Sequence, residues 1–233
     1  MARRGLVAVV SLNNGCFLQE ALRAAGVGSR EDGASIKVLG VHSNEGGVEE
    51  WILVQGSSRS ISRFISVLKK FKGVYYSILS RDSKSSLLLI RIPREYCPGQ
   101  ETCPIRRSPP RSLVLSSRID SDKLVIVLMT TTKDSLKHIE EGGFRVEDVM
   151  RVDDLDYYIT PKQEELLLKA YAKGYYRFPR TVSLKDLAVE QGVSVSTLDE
   201  SLRKAEAKIV KWFIIKELPH SLLKKSLADE ITR

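Results

Sequence analysis

Ala188, Gly192 and Leu198 stand four and then six residues apart in a stretch, Leu184 to Leu202, that is otherwise helix-forming. The spacing suits two helices joined by a tight turn. It supplies a small residue where the helices cross, a glycine four later to make the left-handed turn, and a leucine to anchor the second helix. A larger side chain at 188 would push the helices apart, and a β-carbon at 192 would strain the turn. Val193 is expected to plug the core between them. Ser194 is placed to cap the second helix, which then turns Val195, Ser196, Thr197, Glu200 and Ser201 outward, with Arg203 and Lys204 one turn further. Short hydroxyl side chains let a helix backbone approach base edges in a major groove, and Arg or Lys beyond them can reach phosphates. Arg180, just ahead of the first helix, joins this set. The chemistry implied is non-covalent recognition of duplex DNA. The competing reading is a small bundle of well-capped helices, because Ala-x-x-x-Gly alone is generic.

Other reactive residue types are sparse. Cys97 and Cys103 bracket Pro98-Gly99-Gln100-Glu101-Thr102, and Cys16 lies at a helix start. That spacing is not a zinc knuckle, so no metal site is expected. Two readings stand for the pair: unremarkable thiols, and a redox couple or local disulfide, which needs accessible thiolates. Arg106, Arg107 and Arg111 lie close enough in sequence either to lower the thiol pKa values or to touch a phosphate backbone. His42, His138 and His220 are scattered singly. There is no Gly-rich phosphate loop, no Ser-His-Asp order and no pair of carboxylates in a supporting context, so neither catalysis nor a cofactor is expected.

The elements that carry these residues fall into two regions. The chain has 233 residues, 42% hydrophobic and 28% charged, with 37 Lys and Arg against 29 Asp and Glu, for a net charge of +8. This composition excludes wholesale disorder. The longest apolar run, Leu124 to Met129, falls far short of the roughly 18 residues of a spanning helix, so no membrane association is expected. The basic then apolar N-terminus lacks a small-x-small cleavage site, and three cysteines are too few for a disulfide framework; both point to a cytoplasmic protein. From Asp156 onward there are 14 basic and 11 acidic residues, so most of the positive excess lies earlier, although Arg203 to Lys225 holds seven basic residues against two acidic.

Up to about residue 155 short β-rich runs alternate with amphipathic stretches in the order β-α-β-β-α-β, a ferredoxin-like arrangement. The order then recurs at an offset of about 75 residues, with Trp51-Ile52-Leu53-Val54 answering to Leu124-Val125-Ile126-Val127. The predicted fold class is α+β, with ferredoxin-like βαββαβ units at 1–82 and 83–155, the second partly degenerate, and an all-α helix-turn-helix domain at 156–233. A single α+β domain without internal symmetry is the alternative. Trp51 is expected in the core. Leu166, Leu167, Ala170 and Tyr171 are expected on the inner side of a helix opened by Thr160-Pro161-Lys162-Gln163, and Leu198, Leu202, Ala205, Ile209 and Phe213 form one stripe of the last long helix. Trp212 and Phe213 are candidates for a dimer face or for packing within the domain.

The run Ile159-Thr160-Pro161-Lys162-Gln163-Glu164, then Ala170 to Tyr176, Phe178-Pro179-Arg180, Ser183 to Ala188 and Leu202-Arg203-Lys204-Ala205-Glu206-Ala207-Lys208-Ile209, resembles the helix-turn-helix domain of the archaeal bacterio-opsin activator family. The aromatic pair, the Pro-Arg and the Ala-Glu-Ala-Lys run are not generic to helix-turn-helix proteins. The resemblance covers about residues 156–216 and implies an archaeal transcription regulator that binds double-stranded DNA; a homodimer is expected because a recognition helix usually works in two-fold pairs, and the basal transcription machinery is a further expected partner. It also implies a sensory domain ahead of the helices. The tandem units there resemble metabolite-sensing domains of the ACT type, which points to a small-molecule effector. The competing class is an adaptor that docks on the transcription machinery without reading DNA.

Overall fold

The computed structural model describes residues 5–28, 33–44, 46–97, 102–152 and 158–223. The boundary expected near 155 and most of the Cys97–Cys103 loop lie outside them. The chain divides into two compact units, residues 1–154 together with 215–233, and residues 155–214.

In the first unit eight strands form one sheet: β1 (Leu6–Leu12), β2 (Ala34–Asn44), β3 (Gly47–Gly56), β4 (Tyr75–Arg81), β5 (Ser85–Pro93), β6 (Ser112–Ile119), β7 (Leu124–Thr130) and β8 (Arg145–Arg151). Among the described residues three helices accompany them: α1 (Phe17–Ala24), α2 (Ser58–Leu68) and α3 (Lys133–Glu141). Each helix puts its apolar residues on one side. Phe17, Leu18, Ala21 and Leu22 of α1, Ile61, Phe64, Ile65 and Leu68 of α2, and Leu136 and Ile139 of α3 all enter one core with alternate strand residues such as Ala8, Val10, Ile52, Val54, Leu88, Ile90, Ile126 and Leu128. Ser57 caps α2 through the Ser60 amide and Thr132 caps α3 through that of Ser135.

The strand order is β4-β5-β3-β2-β6-β7-β1-β8, with every pairing antiparallel. A βαββαβ unit would seat its first strand between its third and fourth, but β5 occupies that place between β3 and β4, and β1 lies instead between β7 and β8. The cause is local. Asp82 accepts from the Lys84 and Ser85 amides and closes a tight hairpin, which can join only adjacent antiparallel strands, so β5 is laid beside β4. The repeat is therefore β2-β3-α2-β4-β5 answered by β6-β7-α3-β8 with β1, and the two halves meet at Ile36 and Ile119. Between β5 and β6, where the second expected unit would carry its first helix, the described residues form a 3-10 turn, Arg94–Tyr96, packed on α1 through the rings of Phe17, Phe71 and Tyr96.

The opposite face of the sheet is covered unevenly. Over β1, β6 and β7 lies a 3-10 turn, Pro219–Leu223, with Ile215, Pro219 and Leu222 buried. Ser116 donates to the Ile215 carbonyl at 2.7 Å, and Lys216 to that of Leu115 at 2.9 Å. Val7, Val9, Val125 and Val127 are accordingly fully buried. Trp51, on the same face of β3 in the other half, is 46% exposed rather than in the core.

The second unit contains α4 (Pro161–Ala172), α5 (Leu184–Gln191) and most of α6 (Val195–Glu217). Its core is Ala170, Leu187, Ala188, Leu198 and Leu202, with Leu166, Leu167, Tyr175, Val182 and Leu184 against it. Tyr171 is exposed, as are Ile209 and Phe213, so the expected inner stripes of α4 and α6 are shorter than their spacing suggested.

Candidate nucleic-acid interface

Three local caps fix the helices of the second unit. Thr160 and Gln163 form a reciprocal box at the start of α4, and Ser183 and Asp186 do the same for α5, where the Asp186 carboxylate is held below its usual pKa by the Ser183 hydroxyl and amide. Ser194 Oγ accepts the Thr197 amide at 3.1 Å and opens α6. Between α5 and α6, Gly192 has φ of 65° and ψ of 29°, and the Val193 amide returns to the Ala188 carbonyl at 3.1 Å, a left-handed closure of α5. Ala188 is buried beside Leu198. Val193, however, is 39% exposed and does not fill the core; Val182, Leu184 and Tyr175 do so.

Because Leu198, Leu202 and Ala205 point inward, a helix turning 100° per residue carries Ser196, Glu200, Arg203 and Ala207 on its opposite side, and all four are exposed. Ser194, Val195, Thr197 and Lys204 are exposed beside this line, and Ser201 is half-buried. Arg203 Nε lies 2.9 Å from Asp199 Oδ2 and Lys204 Nζ 2.7 Å from Glu200 Oε1, both one turn back. The Lys204 contact also holds the Glu200 carboxyl below its usual pKa. Such exposed pairs contribute little, so a phosphate can compete for either cation.

The segment between α4 and α5 packs beside α6. The Arg180 guanidinium lies 4.5 Å from the centre of the Tyr175 ring, which meets Tyr176 edge-on at 5.1 Å. Tyr176 donates to Glu206 Oε1 at 2.6 Å, and Arg180, Asp199, Arg203 and Glu206 line one shallow depression. Phe178, followed by a cis peptide bond to Pro179, is fully exposed next to Arg180. Tyr176, Phe178, Glu206 and Ala207 entered the sequence reading as parts of the family-like run, with no place in the recognition surface; of the four, Ala207 is the one whose outward position follows from helical spacing.

Residues 159–211 match the HTH DNA binding domain family. The chain is 43% identical over 51 residues to a dimethyl sulfoxide reductase transcriptional activator of Halobacterium salinarum, covering 22% of this chain and 23% of that protein. It is 26% identical over 107 residues to the bacterioopsin transcriptional activator of the same organism, covering 44% of this chain and 16% of the relative. The chain thus spans less than a quarter of the length of either. No solved structure matches it.

In the first unit, Cys16, Cys97 and Cys103 are free thiols gathered around one buried ion pair. Arg106 Nε and Nη2 both reach Glu50 Oε1, at 2.8 and 2.6 Å. Arg106 is therefore not available to a phosphate backbone. Burial pushes the Cys16 thiol up to about 12 and raises Cys97 and Cys103 too, outweighing the lowering by Arg106. Among the described residues no group of three or more His, Cys, Asp or Glu is arranged to hold a metal ion, and no helix is long and apolar enough to cross a membrane.

Proposed function

We propose that this chain is a cytoplasmic, non-catalytic transcription regulator that lays the first turns of α6 in the major groove of duplex DNA. The observation that carries this reading is the line Ser196, Glu200, Arg203 and Ala207, small or polar and exposed, on a helix held by the Ala188 crossing inside a match to a DNA-binding family. Short side chains permit close approach to base edges, and Ser194, Val195, Thr197 and Ser201 flank the contact. Arg203, Lys204 and Arg180 supply phosphate neutralisation. A helix of this kind reads a half-site, so the regulator acts as a homodimer; exposed Val210, Trp212 and Phe213 on the later turns of α6 offer an apolar face for pairing. Residues 156–214 serve as the DNA-binding part, since the tail of the expected 156–233 domain from residue 215 belongs to the sheet unit, and that unit receives the signal, a small-molecule effector. The names of the two relatives support a role in transcription.

The second reading, an adaptor that docks on transcription machinery without reading DNA, is favoured by the ion pairs that already engage Arg203 and Lys204. Salt separates the two. Binding of a promoter fragment should weaken with ionic strength, with a log–log slope that falls by about 0.9 for each phosphate contact removed by Arg203→Ala or Lys204→Ala. Binding indifferent to salt and to both substitutions would favour the adaptor. Genome-wide mapping of bound DNA then names the targets.

A further inference from the structure

On the helix-covered side of the sheet, all three cysteines of the chain meet the Glu50–Arg106 pair around a cavity of about 130 Å³ whose other walls, Phe144 among them, are mainly apolar. Glu50 is an unexpected residue there. Its β3 neighbours on the same face, Ile52 and Val54, are apolar core, and on β7, where the core-facing residues Leu124, Ile126 and Leu128 lie one place off the sequence alignment of Leu124 with Trp51, that face is apolar throughout. The Glu50 side chain is 2% exposed and that of Arg106 7%. Both Arg106 contacts go to Oε1; Oε2 is buried and accepts a hydrogen bond from none of the described residues. A pair kept for packing alone would gain from apolar replacements, and a bare, buried carboxylate oxygen on a residue that lines a cavity is costly unless something donates to it.

We propose that this cavity binds a small neutral molecule that donates one hydrogen bond to Glu50 Oε2 and rests an apolar or aromatic body against the three thiols and Phe144. Charge sets the class. Glu50 and Arg106 already cancel, so a cation would leave a buried net charge and an anion would face the free carboxylate oxygen. Size sets the limit: a cavity of about 150 Å³ takes up benzene, so the occupant has roughly six to nine heavy atoms, as a phenol, small alcohol or N–H heterocycle has. Protonated thiols are polarisable walls that suit an aromatic ring, which gives Cys16, Cys97 and Cys103 a packing role instead of a redox one. The inference deepens the regulator reading by naming a class of effector, and rests on that reading only for its effect on DNA binding.

Titration calorimetry of the full chain with indole and phenol, against their donor-free counterparts benzofuran and toluene, tests it. The expected result is saturable one-to-one binding of indole or phenol, at least tenfold tighter than the counterpart. Glu50→Gln should narrow that ratio toward unity, and Ile105→Phe, which fills the cavity and leaves the ion pair intact, should abolish binding. Equal affinity for both members of each pair, no binding of any probe at millimolar concentration, or binding unchanged in Ile105→Phe would overturn the site. Promoter-fragment affinity measured with and without indole is a separate arm: binding of indole with no change in DNA affinity removes its role as effector, whereas loss of DNA binding in both conditions strikes the regulator reading and leaves the calorimetry to stand.

Discussion

The hydroxyl of Tyr176 donates to Glu206 Oε1 across 2.6 Å and so ties the segment that follows α4 to the third turn of α6. Its neighbour Tyr175 carries the Arg180 guanidinium over its ring. Residues 175–180 are thereby fastened to the helix that bears Arg203, and Arg180 is held beside that helix instead of swinging on a loose connection. On the proposed reading, the surface offered to a phosphate backbone is built by a connecting segment as much as by the helix pair.

Tyr176→Phe should lower the stability of the second unit by about 1 kcal/mol, the usual worth of one such bond. Burial, and then the bond to Glu206, raise the Tyr176 pKa above its ordinary value of 10 in the folded state. The folded protein therefore holds this proton more tightly than the unfolded chain. The contribution is fully present below pH 10 and is lost as pH rises toward the folded value. Thermal unfolding followed by circular dichroism between pH 7 and 11 should show a steeper alkaline decline in the wild type than in Tyr176→Phe.

Two glycines should respond unequally to alanine. Gly192 has φ of 65°, but a β-carbon there meets nothing within 4 Å, so Gly192→Ala should cost only about 1–2 kcal/mol of left-handed strain. Gly174 has φ of 81°, and a β-carbon would fall 2.0 Å from Thr181 Oγ1, which itself donates to the Lys173 carbonyl. Gly174→Ala must displace that bond as well, and urea denaturation should show the larger loss. Equal losses would mean that the Thr181 contact yields freely.

These residues show what was readable in advance. Thr160, Ser183 and Ser194 are local caps, decided by residues three positions away, and the inward set Ala188, Leu198, Leu202 and Ala205 follows from helical period; both were legible. Strand positions in the sheet unit were legible too, since alternation marks them. The exchange of β1 and β5 was not, because alternation gives which face a residue takes and not which strand pairs with it. The one local sign was the Asp82 turn, where the expected unit boundary had been drawn. Glu50 and Arg106 are 56 residues apart, Tyr176 and Glu206 30, and no period links them.

Glu200 lies on the outward line of α6 and already holds Lys204. A glutamate in a groove accepts from cytosine N4 and rejects other bases, so Glu200→Ala should relax preference at one base pair by about 1–3 kcal/mol while overall affinity for unrelated DNA rises with the loss of a negative charge. Selection from a randomised duplex library checks this. An unchanged logo would place Glu200 outside the groove.

His220, in the 3-10 turn Pro219–Leu223, has Nε2 3.5 Å from Asp120 Oδ2, and Arg118 and Lys123 face it. Burial lowers its pKa below 6.5, and Asp120 only partly offsets this. A depressed folded value means that the unfolded chain binds the proton more readily. The stability contributed is present above pH 6.5 and is lost as pH falls. Hydrogen exchange of the Ile215 and Leu222 amides should accelerate between pH 7 and 5 beyond the intrinsic rate, and His220→Asn should flatten that dependence.

The Glu50–Arg106 pair predicts a strongly non-additive cycle. Arg106→Met leaves Glu50 charged and enclosed, and Glu50→Leu does the same to Arg106, so each alone should cost about 3–5 kcal/mol in urea denaturation. The double variant removes both charges and places two apolar side chains next to Val38, Ile105 and Ile119, which already line the space. Its stability should return to within about 1 kcal/mol of the wild type, since a buried pair is worth little more than the apolar residues that can replace it. It should also lose discrimination between indole and benzofuran, because neither replacement accepts a hydrogen bond. A double variant as unstable as the two single losses combined would mean that the pair acts through bonds the surrounding loop makes to each side chain separately, and not through the charge each offers the other.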